Sequence, residues 1–156
     1  MEDARVAEDA ELARVAELAR ELRQELRAER GGALWETRDA RPEPLDDAVA
    51  ELSKRDDALV VVGTTEDAVV GYGIVRWEPL RDGTRLGVID EIYVEPEARG
   101  VGVGELVVER LVAFCVDAGC LGVDATALPG HRQAKNFFER AGFTARSLVM
   151  HRARGR

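Results

Sequence analysis

The sequence has 156 residues, of which 46% are hydrophobic and 33% charged, so it is long and apolar enough for one domain with a buried core, taken here as residues 1–156. Its 30 acidic and 22 basic residues give a formal net charge of −8, which argues against binding to nucleic acid. No uncharged run approaches the roughly 20 apolar residues of a membrane-spanning helix, and we therefore expect a cytoplasmic protein without a membrane partner.

Metal ligands are scarce in this chain. Cys115 and Cys120 lie in an apolar stretch without a Cys-x-x-Cys pair, and His131 and His151 are the only histidines. We therefore expect two reduced cysteines that pack in the interior and no metal site.

The first third of the chain predicts one strand and two helices. A short strand is predicted over residues 4–8. Leucines and alanines then recur at steps of three and four residues up to Leu26, which predicts a long amphipathic helix that ends at Gly31-Gly32. A proline-containing loop follows, and a second helix is predicted at about residues 45–55.

From residue 58 the hydrophobic pattern changes to that of strands. Three strands predict an antiparallel meander, and a glycine run then opens a helix that is followed by a strand, a helix and a strand. The predicted bounds are 58–63, 68–77 and 85–94 for the meander, 103–117 for the helix, 121–127 for the next strand, about 134–141 for the last helix and 145–152 for the last strand. The order β-α-α-β-β-β-α-β-α-β is typical of an α/β protein in which helices cover a mixed (α+β) sheet.

The segment Arg99-Gly100-Val101-Gly102-Val103-Gly104 joins a predicted strand to a predicted helix. Glycines let the backbone approach a ligand, and the first amides of the helix favour phosphate; a tight connection would account for the glycines equally well. The glycine spacing departs from the dinucleotide-binding pattern G-x-G-x-x-G. No lysine lies between Lys54 and Lys135, so the segment is not a nucleotide-hydrolysing P-loop either.

Two segments resemble the GNAT family of N-acetyltransferases. Residues 90–104, DEIYVEPEARGVGVG, are similar to the family's strand and R-x-x-G-x-G pyrophosphate loop. Residues 134–143, AKNFFERAGF, are similar to its A-x-x-F-Y-x-x-x-G-F helix. The resemblance extends over nearly the whole chain and implies the GNAT acyl-CoA N-acyltransferase fold, with a splayed central sheet and acetyl-CoA as co-substrate.

The resemblance also implies where acetyl-CoA binds. It would lie between the strands that end near Val94 and Thr126, with its pantetheine paired to strand backbone and its pyrophosphate on the N–H groups of the glycine loop. The implied cofactor-binding residues are Ile92, Tyr93, Val94, Arg99, Gly100, Val101, Gly102, Val103, Gly104, His131, Asn136 and Phe138.

Acetyl transfer from a thioester to an ammonium group requires a base, and two adjacent carboxylates are candidates. Asp90 and Glu91 should point to opposite faces of their strand, so only one should reach the acceptor amine. The resemblance favours this position for the catalytic base, and we prefer Glu91 over Asp90. Either carboxylate could instead pair with a nearby arginine.

The sequence departs from the family pattern at the group that protonates the departing thiolate. The usual Tyr is replaced by Phe138 and the usual Asn by His131. Water could protonate the thiolate, Tyr72, Tyr93 or His131 could substitute, or the domain could bind CoA without turnover. His131 stands at a helix start, where a histidine can also act simply as a cap.

The acceptor site is expected at Trp35, Glu36 and Tyr72, which the resemblance places near the loop between the first two helices and on the hairpin strands. Residues 1–130 carry 29 acidic and 15 basic side chains, a balance that suits a cationic amine such as a polyamine, an aminoglycoside or a peptide N-terminus. The leading hypothesis is an acetyl-CoA-dependent N-acetyltransferase acting on a primary amine of a small molecule or peptide. The alternative is a non-catalytic CoA-binding or regulatory module. The exposed last strand also suggests a homodimer.

Overall fold

The computed structural model describes residues 1–155 and contains a five-stranded sheet with helices on both faces. The strands are β1 (Glu2–Val6), β2 (Ala58–Thr65), β3 (Ala68–Pro79), β4 (Arg85–Val94) and β5 (Val123–Ala125). The helices are α1 (Leu12–Arg27), α2 (Gly32–Arg38), α3 (Leu45–Ser53), α4 (Val103–Asp117) and α5 (Arg132–Arg140).

The strands lie in sequence order across the sheet, β1-β2-β3-β4-β5. Neighbours from β1 to β4 are antiparallel, whereas β5 runs parallel to β4. The parallel pairing covers only the register from Gly87 opposite Val123 to Ile89 opposite Ala125. Beyond Ile89 the edge of β4 that faces β5 is therefore open.

A β-bulge in β4 coincides with the point where this pairing ends. On β3, the neighbours Val75 and Ile74 lie opposite Ile89 and Glu91 of β4. Asp90, between Ile89 and Glu91, has no residue opposite it and is therefore an extra residue on β4. Val75 and Ile89 pack in the core beneath α4, and Ile74 packs in the core beneath α1 and α3. Because of the bulge, Ile89 and Glu91 face opposite sides of the sheet although they are two residues apart.

Each face of the sheet carries its own core. On one face the fully buried side chains of α1 and α3 include Val15, Leu18 and Val49. On the other face α4 contributes Leu111 and Cys115, both fully buried. Burial raises the pKa of the Cys115 thiol to about 12, and both cysteines are free. The helical stripes predicted from the sequence are thus the buried faces of these helices.

Several predicted elements match the structure and others need correction. The first strand, predicted over 4–8, is β1 (Glu2–Val6), and the long helix, expected to end at Gly31-Gly32, ends at Arg27. The bounds predicted for β4 and α4 are those observed. The predicted loop after α1 contains the short helix α2. The strand predicted over 121–127 is shortened to β5, which pairs with β4 only from Gly87 to Ile89. The last strand, predicted over 145–152, is not formed among the described residues.

Residues 145–152, where the last strand was predicted, bury little apolar surface. Their apolar side chains Leu148, Val149 and Met150 are all more than four-fifths exposed. These three residues are consecutive and are flanked by Arg146, Ser147, His151 and Arg152, so a strand would divide them between two faces that both carry polar side chains. The short β5 also offers few backbone groups to pair with. The homodimer expected from this strand stays a prediction.

None of the helices within residues 1–155 is both long and apolar enough to cross a membrane. The cytoplasmic location expected from the sequence stays a prediction.

Candidate active site

A cleft of about 390 Å³ opens along the free edge of β4. One wall is the end of β4, and the opposite walls are the start of α4 and the length of α5. The lining residues include Ile92, Tyr93, Val94, Arg99, Gly100, Gly104, His131, Asn136 and Phe138. Nine of the residues expected to bind the cofactor therefore meet at one cleft.

Main-chain groups of β4 point into this cleft. Glu95 N donates to Val70 O on β3 at 2.8 Å. Alternation along the antiparallel ladder then turns the N–H and C=O of Ile92 and Val94 away from β3, toward the cleft. Val94 O accepts a hydrogen bond from Arg99 Nε at 2.7 Å, and the other groups are free to bind an extended ligand.

The glycine loop presents the N-terminus of α4 to the same cleft. Gly100 and Gly102 have φ angles of +86° and +97°, in the left-handed region that disfavours other residues. A Cβ on Gly104 would lie 3.0 Å from the Phe137 ring, so this glycine lets α5 approach α4. The first backbone N–H groups of α4 have no intrahelical acceptor and can bind an anion.

Arg99 connects β4 to α1 at the mouth of the cleft. Its guanidinium lies 5.4 Å from the centre of the Tyr93 ring, and its Nη2 donates to Glu25 Oε1 on α1 at 2.8 Å. The other Glu25 oxygen lies 3.4 Å from His131 Nε2. Glu25 was missed in the sequence analysis, because nothing distinguishes it from the other exposed acids of α1.

A second, smaller cavity of about 50 Å³ continues from the cleft toward α1 and α2. Its polar lining is formed by Asp90, Glu91, Thr126 and His131, and its apolar lining includes Trp35. Trp35 was expected at the acceptor site and does line this inner cavity.

Glu91 is buried in an extensive hydrogen-bond network. Arg23 of α1 binds both of its carboxylate oxygens, at 3.1 and 3.3 Å, and Tyr72 Oη donates to Oε1 at 2.6 Å. Burial together with the Glu91 charge raises the pKa of Tyr72 well above its usual value. The Glu91 carboxylate is therefore already saturated with donors.

Arg23 connects four parts of the fold through one buried side chain. Besides Glu91 it donates to the backbone carbonyls of Ala19 and Arg41, at 2.9 and 3.1 Å. Its guanidinium also lies 5.7 Å from the centre of the Trp35 ring. The sequence held a signal that was missed, because Arg23 stands four residues after Ala19, at the spacing of the apolar stripe.

Asp90 lies on the same side as Glu91 rather than on the opposite face. Arg41 Nη2 donates to Asp90 Oδ2 at 2.7 Å, and Arg41 Nη1 lies 3.5 Å from Glu91 Oε2. The expectation of opposite faces was wrong because the bulge interrupts strand alternation. Arg76 Nε also donates to Oδ2, at 3.0 Å, which leaves Oδ1 for a ligand or a water.

Two residues expected at the acceptor site do not reach either cavity. Tyr72 is fully buried, and its hydroxyl is bound to Glu91. Glu36 lies at the surface, where it pairs with Arg27 at 2.6 Å, and that contact lowers its pKa. The partners of these side chains, Glu91 and Arg27, are distant in the sequence from Tyr72 and Glu36, and no local pattern connects them.

The sheet edge of β4 opens opposite a helix that begins at a glycine loop, and a comparison with known protein families agrees with this arrangement. The sequence profile of the acetyltransferase (GNAT) family matches residues 16–143, which is most of the chain. The chain belongs to the GNAT acetyltransferase family. The resemblance noted in segments 90–104 and 134–143 is thereby confirmed.

Individual GNAT relatives are similar over parts of the sequence and over the whole fold. Glucosamine 6-phosphate N-acetyltransferase 1 of Oryza sativa subsp. japonica is 32% identical over 60% of this chain and 58% of its own length. Thialysine N-epsilon-acetyltransferase of Bos taurus is 28% identical over 47% of this chain and 44% of its own. The chain thus spans less than two thirds of these curated relatives.

A solved GNAT structure covers more of the chain. The crystal structure of glucosamine-6-phosphate N-acetyltransferase from Arabidopsis thaliana is 25% identical, covers 99% of both chains and has a TM-score of 0.71. The GNAT fold expected from the sequence is confirmed, apart from the unformed last strand.

The pair of Arg23 and Glu91 gives a stability prediction. We expect Glu91→Gln to lower the free energy of unfolding by about 3 kcal/mol, because it leaves the buried Arg23 guanidinium without a counter-ion. Urea unfolding followed by circular dichroism would measure the change. The control Glu139→Gln removes a carboxylate from an exposed pair with Lys135 and should cost less than about 1 kcal/mol.

A double variant separates the lost charge pair from a simple packing defect. Arg23→Met with Glu91→Met removes both charges and should be more stable than Glu91→Gln alone. Equal unfolding midpoints for Glu91→Gln and the unmodified protein would show that this ion pair does not hold α1 to β4.

Proposed function

We propose that this protein transfers the acetyl group of acetyl-CoA to a primary amine of a small molecule or peptide. The observation that carries the proposal is the cleft in which free backbone groups of β4 face the N-terminus of α4, continued by an inner cavity with two carboxylates. An extended amide-containing arm with an anionic end fits the cleft, and an amine fits the cavity.

The pantetheine arm would pair with the free edge of β4 in this proposal. Ile92 and Val94 would supply backbone N–H and C=O groups. The Tyr93 ring, over which the Arg99 guanidinium lies, would support the arm. The arm would therefore act as an extra strand in the place that β5 vacates beyond Ile89.

The pyrophosphate would bind the loop from Gly100 to Gly104. Its charge would be stabilised by the N–H groups of Val101, Gly102 and Val103 and by the helix dipole. Asn136 and Phe138 would complete the opposite wall on α5. The Val103 side chain itself is buried in the core, so its contribution would come from backbone alone.

Asp90 is the better placed of the two carboxylates to receive the proton of the amine. Glu91 is bound by Arg23, Tyr72 and Arg41. Asp90 lines the inner cavity, and both of its donors within residues 1–155 bind Oδ2 rather than Oδ1. We therefore assign the base to Asp90, acting directly or through a water, and reverse the preference drawn from the sequence. Glu91 would hold Arg23 and the neighbouring backbone in place.

Turnover with a panel of amines tests the function directly. The panel should contain glucosamine 6-phosphate and thialysine, the compounds that appear in the names of the relatives. It should also contain a polyamine, an aminoglycoside and a peptide with a free N-terminus. Release of CoA thiol that depends on one of these amines is the expected result, with acetyl-CoA binding measured in parallel by calorimetry. Binding without amine-dependent release over the whole panel would favour a non-catalytic CoA-binding module.

The phosphate loop can be tested at Val101, whose side chain is half exposed and does not need to be glycine. Val101→Glu should weaken acetyl-CoA binding about tenfold, or by about 1.4 kcal/mol, because it places a carboxylate beside the pyrophosphate. The difference should shrink as salt is added. Val101→Gln has the same length without the charge and should bind almost as the unmodified protein does; equal affinities for the two variants would refute the loop assignment.

The base can be tested with Asp90→Asn. We expect kcat/KM at neutral pH to fall roughly 10²-fold while acetyl-CoA affinity is retained, and high pH to restore part of the rate because the amine then arrives neutral. Glu78→Gln is the matched control, since Glu78 accepts from the same Arg76 at 2.9 Å but does not line the inner cavity. Full activity of Asp90→Asn at neutral pH would return the role to Glu91 or to water.

A further inference from the structure

Four residues line both the cleft and the inner cavity: Ile92, His131, Ala134 and Phe138. If acetyl-CoA occupies the cleft and the amine the cavity, the thioester must lie at this junction. Among the four side chains, only that of His131 carries an exchangeable proton.

We propose that His131 is the general acid that protonates the departing CoA thiolate. This assignment rests on the proposed acetyl transfer. The ring of Phe138 faces the same junction but has no proton to give. The structure thus offers one proton donor at the place where the sulfur would leave.

The two tyrosines of the chain are engaged elsewhere. Tyr72 is fully buried and does not line either cavity, and its hydroxyl group donates a hydrogen bond to Glu91. Tyr93 lines the cleft but not the inner cavity, and its Oη donates to Glu21 Oε1 on α1 at 3.1 Å. Burial and this contact also raise the pKa of Tyr93 to about 12, which makes it a weak acid.

The position of His131 suits an acid better than a helix cap. It is the N-cap residue of α5 by its backbone, yet its side chain makes no capping hydrogen bond. The imidazole is instead mostly buried, with Nε2 3.4 Å from Glu25 Oε2, and Glu25 is itself held by Arg99. A protonated imidazole has two N–H groups, so one can face Glu25 while the other faces the sulfur.

The proton balance of the step is complete. The amine nitrogen attacks the thioester carbonyl carbon, the C–N bond forms and the C–S bond breaks, and the sulfur departs with the electron pair. Asp90, directly or through a water, takes the ammonium proton before attack and passes it to solvent. After attack the nitrogen loses a second proton by the same route, while His131 gives one proton to the sulfur. Proton exchange with solvent restores both groups, so no oxidant, reductant or metal enters.

His131→Gln is the first test, because glutamine keeps a polar side chain of similar size but has no acid proton. We expect kcat to fall about tenfold or more while the Kd for acetyl-CoA stays within about twofold. His151→Gln is the matched control, since His151 is exposed in the C-terminal segment and should leave both values unchanged. Thermal unfolding of each variant checks that the fold is retained.

Two rescue experiments distinguish proton donation from a packing or binding role. Added imidazole should restore part of the rate of His131→Ala. Phe138→Tyr should raise kcat in the His131→Gln background, because it places a hydroxyl at the same junction. A merely structural role for His131 predicts neither rescue.

The outcomes separate this assignment from the function on which it rests. An unmodified protein that releases no CoA with any amine overturns the proposed acetyl transfer, and the acid role with it. An active protein in which His131→Gln keeps its kcat overturns the acid role alone. Parallel losses of kcat and acetyl-CoA affinity, without either rescue, would make His131 a binding residue and would also overturn the acid role.

Discussion

The extra residue in β4 is the constraint on which the rest of the site depends. Without the bulge at Asp90, strand alternation would send Glu91 to the α4 face and Asp90 to the α1 face. With it, both carboxylates come within reach of Arg41, and pairing with β5 stops at Ile89. One inserted residue therefore both opens the sheet for a ligand and supplies the polar end of the inner cavity.

The buried charge of Arg23 explains how the inner cavity keeps its shape. This side chain binds Glu91 on β4, the backbone of Arg41 after α2, and its own helix, and it lies over Trp35. A charge in that position is stable only while its partners stay in place, since an unpaired buried guanidinium is costly. The walls of the inner cavity are thus fixed by electrostatics as well as by apolar packing, and Glu91 contributes by holding Arg23 in place.

Sequence reasoning succeeded where a local pattern determines structure and failed where the determinant is distant in the chain. The bounds of β4 and α4 follow from apolar periodicity and from the glycines before Val103. The residues that meet at the cleft along β4 were expected from two short motifs. The saturation of Glu91, by contrast, depends on Arg23, which is 68 residues away, and no local pattern pairs them. The last strand was predicted from the residue pattern over 145–152, but β5 has only three residues and offers a short edge for pairing.

The main-chain character of the cleft has a consequence for divergence within the family. Groups offered by Ile92, Val94 and the first turn of α4 belong to the backbone, so the side chains at those positions can change while the binding surface persists. The path of the chain, set by the residue that makes the bulge and by the glycines with left-handed φ, therefore shapes this cleft more than its contact side chains do. Distant members can therefore share this cleft while sharing few of its residues, and residue identity at the contact positions is a poor guide to which of them bind the same co-substrate.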